Sequence, residues 1–135
     1  MKPFDQALYD ADDNAKHLIV EWFNKHGWTM QVNPDEYGID LIGFDPLLRP
    51  ATVEVEVKHH WTTPTFPFKT VHVSARKRKF IHEGAYLVML NHDRTHALTF
   101  SYKDLISAAV TTKDTIYTTA EEFLVLPVGM PRRIA

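Results

Sequence analysis

This sequence predicts an α/β or α+β fold in which helices pack against a mixed central sheet. Three features point to it: an amphipathic helical stretch near the start, a strictly alternating strand at 52–58, and an almost unbroken apolar run at 85–90. Helical and extended periodicities therefore alternate along one chain, as layered folds require.

In order, Leu8, Ala11, Ala15, Leu18, Ile19, Trp22 and Phe23 recur at three- and four-residue intervals and predict a first helix with one inward stripe, stopped at Gly27. Trp28–Val32 and Ile39–Phe44 read as strands separated by the turn cluster Pro34-Asp35-Glu36-Tyr37-Gly38. Asp45, Pro46 and Pro50 frame a loop, after which Val53, Val55 and Val57 alternate with Glu54, Glu56 and Lys58. Loop residues follow to Pro67, then a short extended segment at Phe68–Val73. Ser74 is placed to cap a basic helix running to about Glu83, and Gly84 to end it. Ala85–Leu90, apolar enough to be buried on both faces, and Ala97–Phe100 predict two more strands around an Asn91–Thr95 turn. Ser101 with Asp104 suggests a capping box for a short helix reaching about Ala109, and Thr115–Thr118 and Phe123–Val128 are further strand candidates.

With 135 residues, 44% of them hydrophobic, the chain suits one cored domain spanning 1–135. No run of 18 apolar residues occurs and Met1–Asp13 is acidic, so neither a membrane span nor a secretory signal is expected. The absence of cysteine excludes disulfides, thiolate zinc sites and cysteine nucleophiles, and suits a cytoplasmic, intracellular protein. A net charge of −2 hides a strong asymmetry. Val57–His82 holds Lys58, Lys69, Arg76, Lys77, Arg78 and Lys79 and no acid, a balance of +6, which leaves −8 on the remainder. A basic face on an otherwise acidic domain suits contact with phosphates, and a merely solvated basic helix is the competing reading.

The alternating strand carries the chemistry. If Ile39–Phe44 and Thr52–Lys58 form a hairpin centred on Leu48, Asp40 lies opposite Glu56 and Ile42 opposite Glu54. Opposed residues share a face, so two carboxylates would converge, with Lys58 in phase and Ile39, Leu41, Val53, Val55 and Val57 on the buried side. Like charges facing each other need a cation or a shared proton. Mg²⁺ or Mn²⁺ answers that need: it takes oxygen ligands, uses one or two protein carboxylates, polarises a phosphate and activates water. Lys58 could orient that water or stabilise charge on the phosphate.

Ile39-Asp40-Leu41-Ile42, a proline-framed loop and Val55-Glu56-Val57-Lys58 together resemble the core of the PD-(D/E)xK nucleases. With its first helix and the basic helix after the Glu-x-Lys strand, the sequence looks like the small archaeal Holliday-junction resolvases and related phage or restriction nucleases. The usual adjacent Pro-Asp is replaced by Ile39-Asp40. The resemblance implies a restriction-endonuclease-like αβββαβ core and a metal-dependent endonuclease acting on DNA, including branched or recombining DNA, as a homodimer. It makes Asp40 and Glu56 metal ligands, the Val57 carbonyl a third, and Lys58 the catalytic lysine. Asp12 or Asp13 on the first helix would add a further acid. Arg76, Lys77 and Lys79 would grip phosphates, joined by Lys69 and, if the strand continues, by His60.

Other readings stand beside this one. A module that keeps the fold but binds nucleic acid or protein without cutting is the alternative function, and RNA is not excluded as the ligand. His59 and His60 suggest zinc, but consecutive strand residues face opposite ways and no His-x3-His spacing occurs. Trp61, Phe66 and Phe68 could stack on unpaired bases or cover the core. The chain has no Gly-x-Ser-x-Gly and no phosphate-cradling glycine loop, which leaves serine hydrolase, kinase and dinucleotide-binding functions without support.

Overall fold

The computed structural model describes residues 6–115 and 119–134, with side chains from Asn14 onward. Helix α1 (Gln6–Lys25) buries Ala15, Ile19 and Phe23 at four-residue spacing. It ends where Gly27 takes a φ of +87°, a left-handed conformation that favours glycine. Asn24 ties this end to the next element, accepting the Met30 N–H at 2.8 Å and donating to the Met30 carbonyl at 3.2 Å.

Strands β1 (Thr29–Val32), β2 (Leu41–Phe44) and β3 (Pro50–Val57) form an antiparallel meander. The chain then crosses over through β4 (Thr70–Ser74) and a 3-10 helix at Ala75–Phe80, returning as β5 (Ala85–Leu90) parallel to β3. Strand β6 (His96–Ser101) pairs antiparallel with β5, followed by α2 (Tyr102–Ile106), β7 (Ala109–Lys113), β8 (Glu121–Pro127) and β9 (Arg132–Arg133). Two sheets result: a mixed one in the order β1-β2-β3-β5-β6-β9, and an antiparallel one in the order β4-β8-β7.

The expected mixed sheet in an α+β fold is present, and β5 is its centre. Because successive side chains alternate, Val88 and Leu90 join the core beneath α1 while Leu87 and Met89 join a second core with Val71, Val73, Leu124 and Leu126 of the small sheet. The second face is thus covered largely by strands where a helix was expected. The basic segment explains the difference. None of the residues 75–80 is buried, so the segment has no apolar stripe to lay on the sheet, and packing of such a stripe supplies most helix stability. It forms a 3-10 helix capped by Ser74 and ends at Ile81, short of Glu83. Helix α2 has the expected capping box between Ser101 and Asp104, but stops at Ile106 so that Ala109–Lys113 can pair with β8. The strand candidate at Thr115–Thr118 lies mostly outside the described residues, and Thr115 itself is not in a strand.

Candidate functional site

Strand register decides which acids meet. Leu41 pairs with Val53 and Phe44 with Pro50, which centres the turn on Leu47 rather than Leu48. Asp45 organises this turn: its carboxylate accepts the N–H groups of Leu47 and Arg49, both at 2.9 Å, and its carbonyl accepts the Leu48 N–H. Leu48 adopts a φ of 63°, and β3 opens at Pro50, earlier than its alternation suggests. The expected pairing of Asp40 with Glu56 is therefore corrected: Asp40 lies beside Glu54, and Ile42 faces Thr52.

Asp40 sits just before β2 begins, so its side chain and N–H reach β3 instead of continuing the ladder. The Asp40 N–H donates to Glu54 Oε2 at 3.0 Å, and Asp40 Oδ2 accepts the Val55 N–H at 2.8 Å. Glu56, two residues on and on the same face as Glu54, pairs with Lys58 at 2.9 Å. Lys58 also donates to the His72 carbonyl at 3.1 Å. Each carboxylate has its ammonium partner: Lys16 at 3.3 Å from Asp40, Lys77 at 2.9 Å from Glu54, and Lys58 beside Glu56.

Glu54 is only 6% exposed, since the 3-10 helix and the small sheet close over the face expected to be open to water. Burial pushes its carboxyl up to about 7, helped by contact with Asp40 and opposed by Lys77. For Lys77, burial opposes the charge, but Glu54, with Glu56 and Asp40 behind it, outweighs burial and holds the ammonium above its ordinary value. A carboxyl poised near neutrality in a set of paired charges can hold or release a proton at physiological pH.

The other candidate residues divide by environment. Lys77, expected to grip phosphate, turns inward to Glu54. Arg76 is paired with Glu121 at 3.0 Å and Arg78 with Glu122 at 3.6 Å, so β8 neutralises part of the run that contains no acid of its own. Lys69, Lys79 and His60 are exposed. The Val57 side chain is buried on the α1 face, and strand alternation turns the Val55 and Val57 carbonyls toward the side on which β2 has ended. Trp61, 1% exposed and donating from Nε1 to the Thr65 carbonyl at 3.1 Å, is a core residue and cannot stack on a base. Asp12 and Asp13 lie in α1, but their side chains are outside the described residues. Among the described residues no group of three or more His, Asp or Glu is disposed to hold a metal ion.

Glu54 and Lys16 were not singled out from the sequence as site residues, and Lys77 was expected to meet phosphate rather than Glu54. The available signal was Asp45 at the head of a five-residue turn, which accepts two backbone N–H groups and moves the register by one pair.

No family model matches the chain, and no curated protein matches it. Its structure is similar to that of Archaeoglobus fulgidus Hjc, a Holliday junction resolvase from an archaeal hyperthermophile, with a TM-score of 0.52 and 13% sequence identity over 87% of this chain and 84% of that one. The likeness is one of fold: a mixed central sheet with few helices, as in a resolvase-like nuclease. No helix among the described residues is long and apolar enough to cross a membrane.

Proposed function

We propose that this chain is a divalent-metal-dependent nuclease that hydrolyses phosphodiester bonds in DNA, with branched or recombining DNA as its substrate. The observation that carries the reading is the Asp40–Glu54 pair, in which the Asp40 backbone N–H donates to Glu54 Oε2 and the Asp40 carboxyl is close enough to raise that of Glu54, on a fold shared with a Holliday junction resolvase. The donor set fits Mg²⁺ or Mn²⁺: hard carboxylate oxygens without thiolates or imidazoles, in the number those ions require of a protein. Asp40 and Glu54 would hold the ion, with the Val55 carbonyl taking the role first expected of Val57. When bound, it would supply Lewis-acid polarisation of the phosphate and a more acidic water.

The chain's own groups do the rest. Glu54, whose carboxyl burial raises to about 7, would hold the ion in its ionised form. Read from the acid beside Asp40, the Glu-x-Lys pattern becomes Glu54-Val55-Glu56, so the ammonium comes through space from Lys77. Lys77 opposes negative charge building on the phosphate, while Lys58 holds Glu56 and reaches toward β4. The homodimer rests on the family resemblance and is tested by sedimentation.

A second reading has its own support. All three carboxylates are already paired with lysines, which suits a domain that binds without cutting. Incubation with four-way-junction, duplex and single-stranded DNA, and with RNA, under Mg²⁺, Mn²⁺ or EDTA separates the two. The nuclease reading expects metal-dependent cutting that falls at least ~100-fold in Asp40→Asn and in Glu54→Gln, and less in Glu56→Gln. Binding with no cutting under either metal overturns it in favour of the second. Mg²⁺ titration at pH 7 should also release protons from the parent and not from Glu54→Gln.

A further inference from the structure

Beside the Glu56 end of the acidic face lies a cavity of about 590 Å³, within the range of about 300–1,000 Å³ common for small-ligand sites. Its walls are aromatic. Trp61 is at the back, Phe66 packs edge-on against it at 5.3 Å between ring centroids, and Phe68 follows at 5.9 Å from Phe66. Phe68 is 66% exposed, although the second core lies close by. Across the cavity stands Phe123, with the Lys113 ammonium 4.5 Å from its ring centroid.

The charges are of one sign. Lys58 and Lys113 line the cavity, and among the described residues no carboxylate does. Between them, His72 Nδ1 lies 3.1 Å from Lys113 Nζ, a contact in which the imidazole accepts and is therefore neutral. Burial holds His72 below its ordinary value, and Lys113 and Lys58 add to the effect. The cavity thus offers the exposed ring of Phe68, a neutral imidazole and two ammonium groups. Lys58 is shared with the acidic face through Glu56.

We infer that this cavity receives one unpaired nucleobase from a strand whose backbone runs past the partly exposed Asp40 and Glu56, stacking it on Phe68 while Lys58 and Lys113 hold its phosphate. The inference deepens the proposed nuclease reading and rests on it. Ring faces accept any base, so the recognised feature is the lack of pairing rather than a sequence. A fully paired duplex keeps its bases stacked and has nothing to insert.

The test measures binding in EDTA, where no strand is cut, with single-stranded DNA and RNA oligonucleotides carrying 2-aminopurine, the same DNA made abasic at one position, and a blunt duplex. Phe68→Ala and Lys113→Ala should each weaken single-strand binding by about 10-fold and leave duplex binding within about twofold. The abasic strand should lose as much with the parent, and Phe68→Ala should no longer discriminate against it. Phe68→Leu, which keeps apolar area without a ring face, should behave like Phe68→Ala. Equal losses on duplex and single strand, or undiminished binding of the abasic strand, overturn the proposal. If discrimination appears but nothing is cut under Mg²⁺, the cavity stands and the nuclease reading fails. If cutting is lost in Asp40→Asn while Phe68→Ala matches the parent on every strand, the reverse holds.

Discussion

Glu54→Gln should make the protein more stable at alkaline pH and leave it nearly unchanged in acid. Folded, Glu54 keeps its proton up to about pH 7, whereas an unperturbed glutamate releases it near 4.5, so folding takes up a proton between these values. The stability contributed by the neutral carboxyl is complete below pH 4.5 and is lost as pH rises through 7. At about 1.4 kcal/mol per pKa unit, burying the charged form costs on the order of 3 kcal/mol, an upper bound because the surrounding charges relax. Glutamine is nearly isosteric and carries no charge, so the parent and the variant should match at pH 4 and diverge by up to about 3 kcal/mol at pH 8, with the variant more stable. Urea unfolding at pH 4, 5, 6, 7 and 8, followed by tryptophan fluorescence, gives the difference directly. A difference that stays flat across this range, or a parent that gains on the variant as pH rises, refutes the reasoning. Excess Mg²⁺ at pH 8 should narrow the gap by stabilising the parent alone.

Gly84→Ala should cost about 2–4 kcal/mol, seen as a lower melting temperature, because a Cβ there would sit 2.5 Å from the Pro50 carbonyl oxygen at a φ of +87°. Ser101→Ala removes the capping box of α2 and should cost about 1 kcal/mol in urea unfolding without affecting DNA binding. Lys69→Ala with Lys79→Ala, both on exposed lysines, should flatten the salt dependence of DNA affinity by up to about 2 in logarithmic slope. Lys77→Ala should instead leave that slope unchanged and reduce cutting, since Lys77 faces Glu54; a changed slope with intact cutting counts against its assignment.

Where a residue's environment follows from its own strand, the sequence was readable. Alternation in β3 puts Val53 and Val57 in the core, with Glu54 and Glu56 on the opposite face, and the apolar run of β5 marks a strand buried on both sides. Where the environment depends on another segment, it was not. The partner of Asp40 depended on Asp45 and Leu48, which set the turn and bring Glu54 rather than Glu56 to it. The basic run looked free because its neutralising acids, Glu54, Glu121 and Glu122, are remote in sequence. Strand β7 gave no periodic signal, being largely exposed and paired only with β8 among the described residues.

Beyond its last pairing with β2, strand β3 runs on for four residues, Glu54 to Val57, along a margin that another polypeptide could extend by adding a strand. Asp40 obstructs such an addition by occupying the Val55 N–H with its carboxylate, and Lys16 lies alongside as a second charged obstacle. The aspartate therefore blocks one rung of such an added strand as well as belonging to the acidic pair. Substituting an apolar residue there removes both roles, so the aggregation state of an inactive Asp40 variant bears on what its inactivity means.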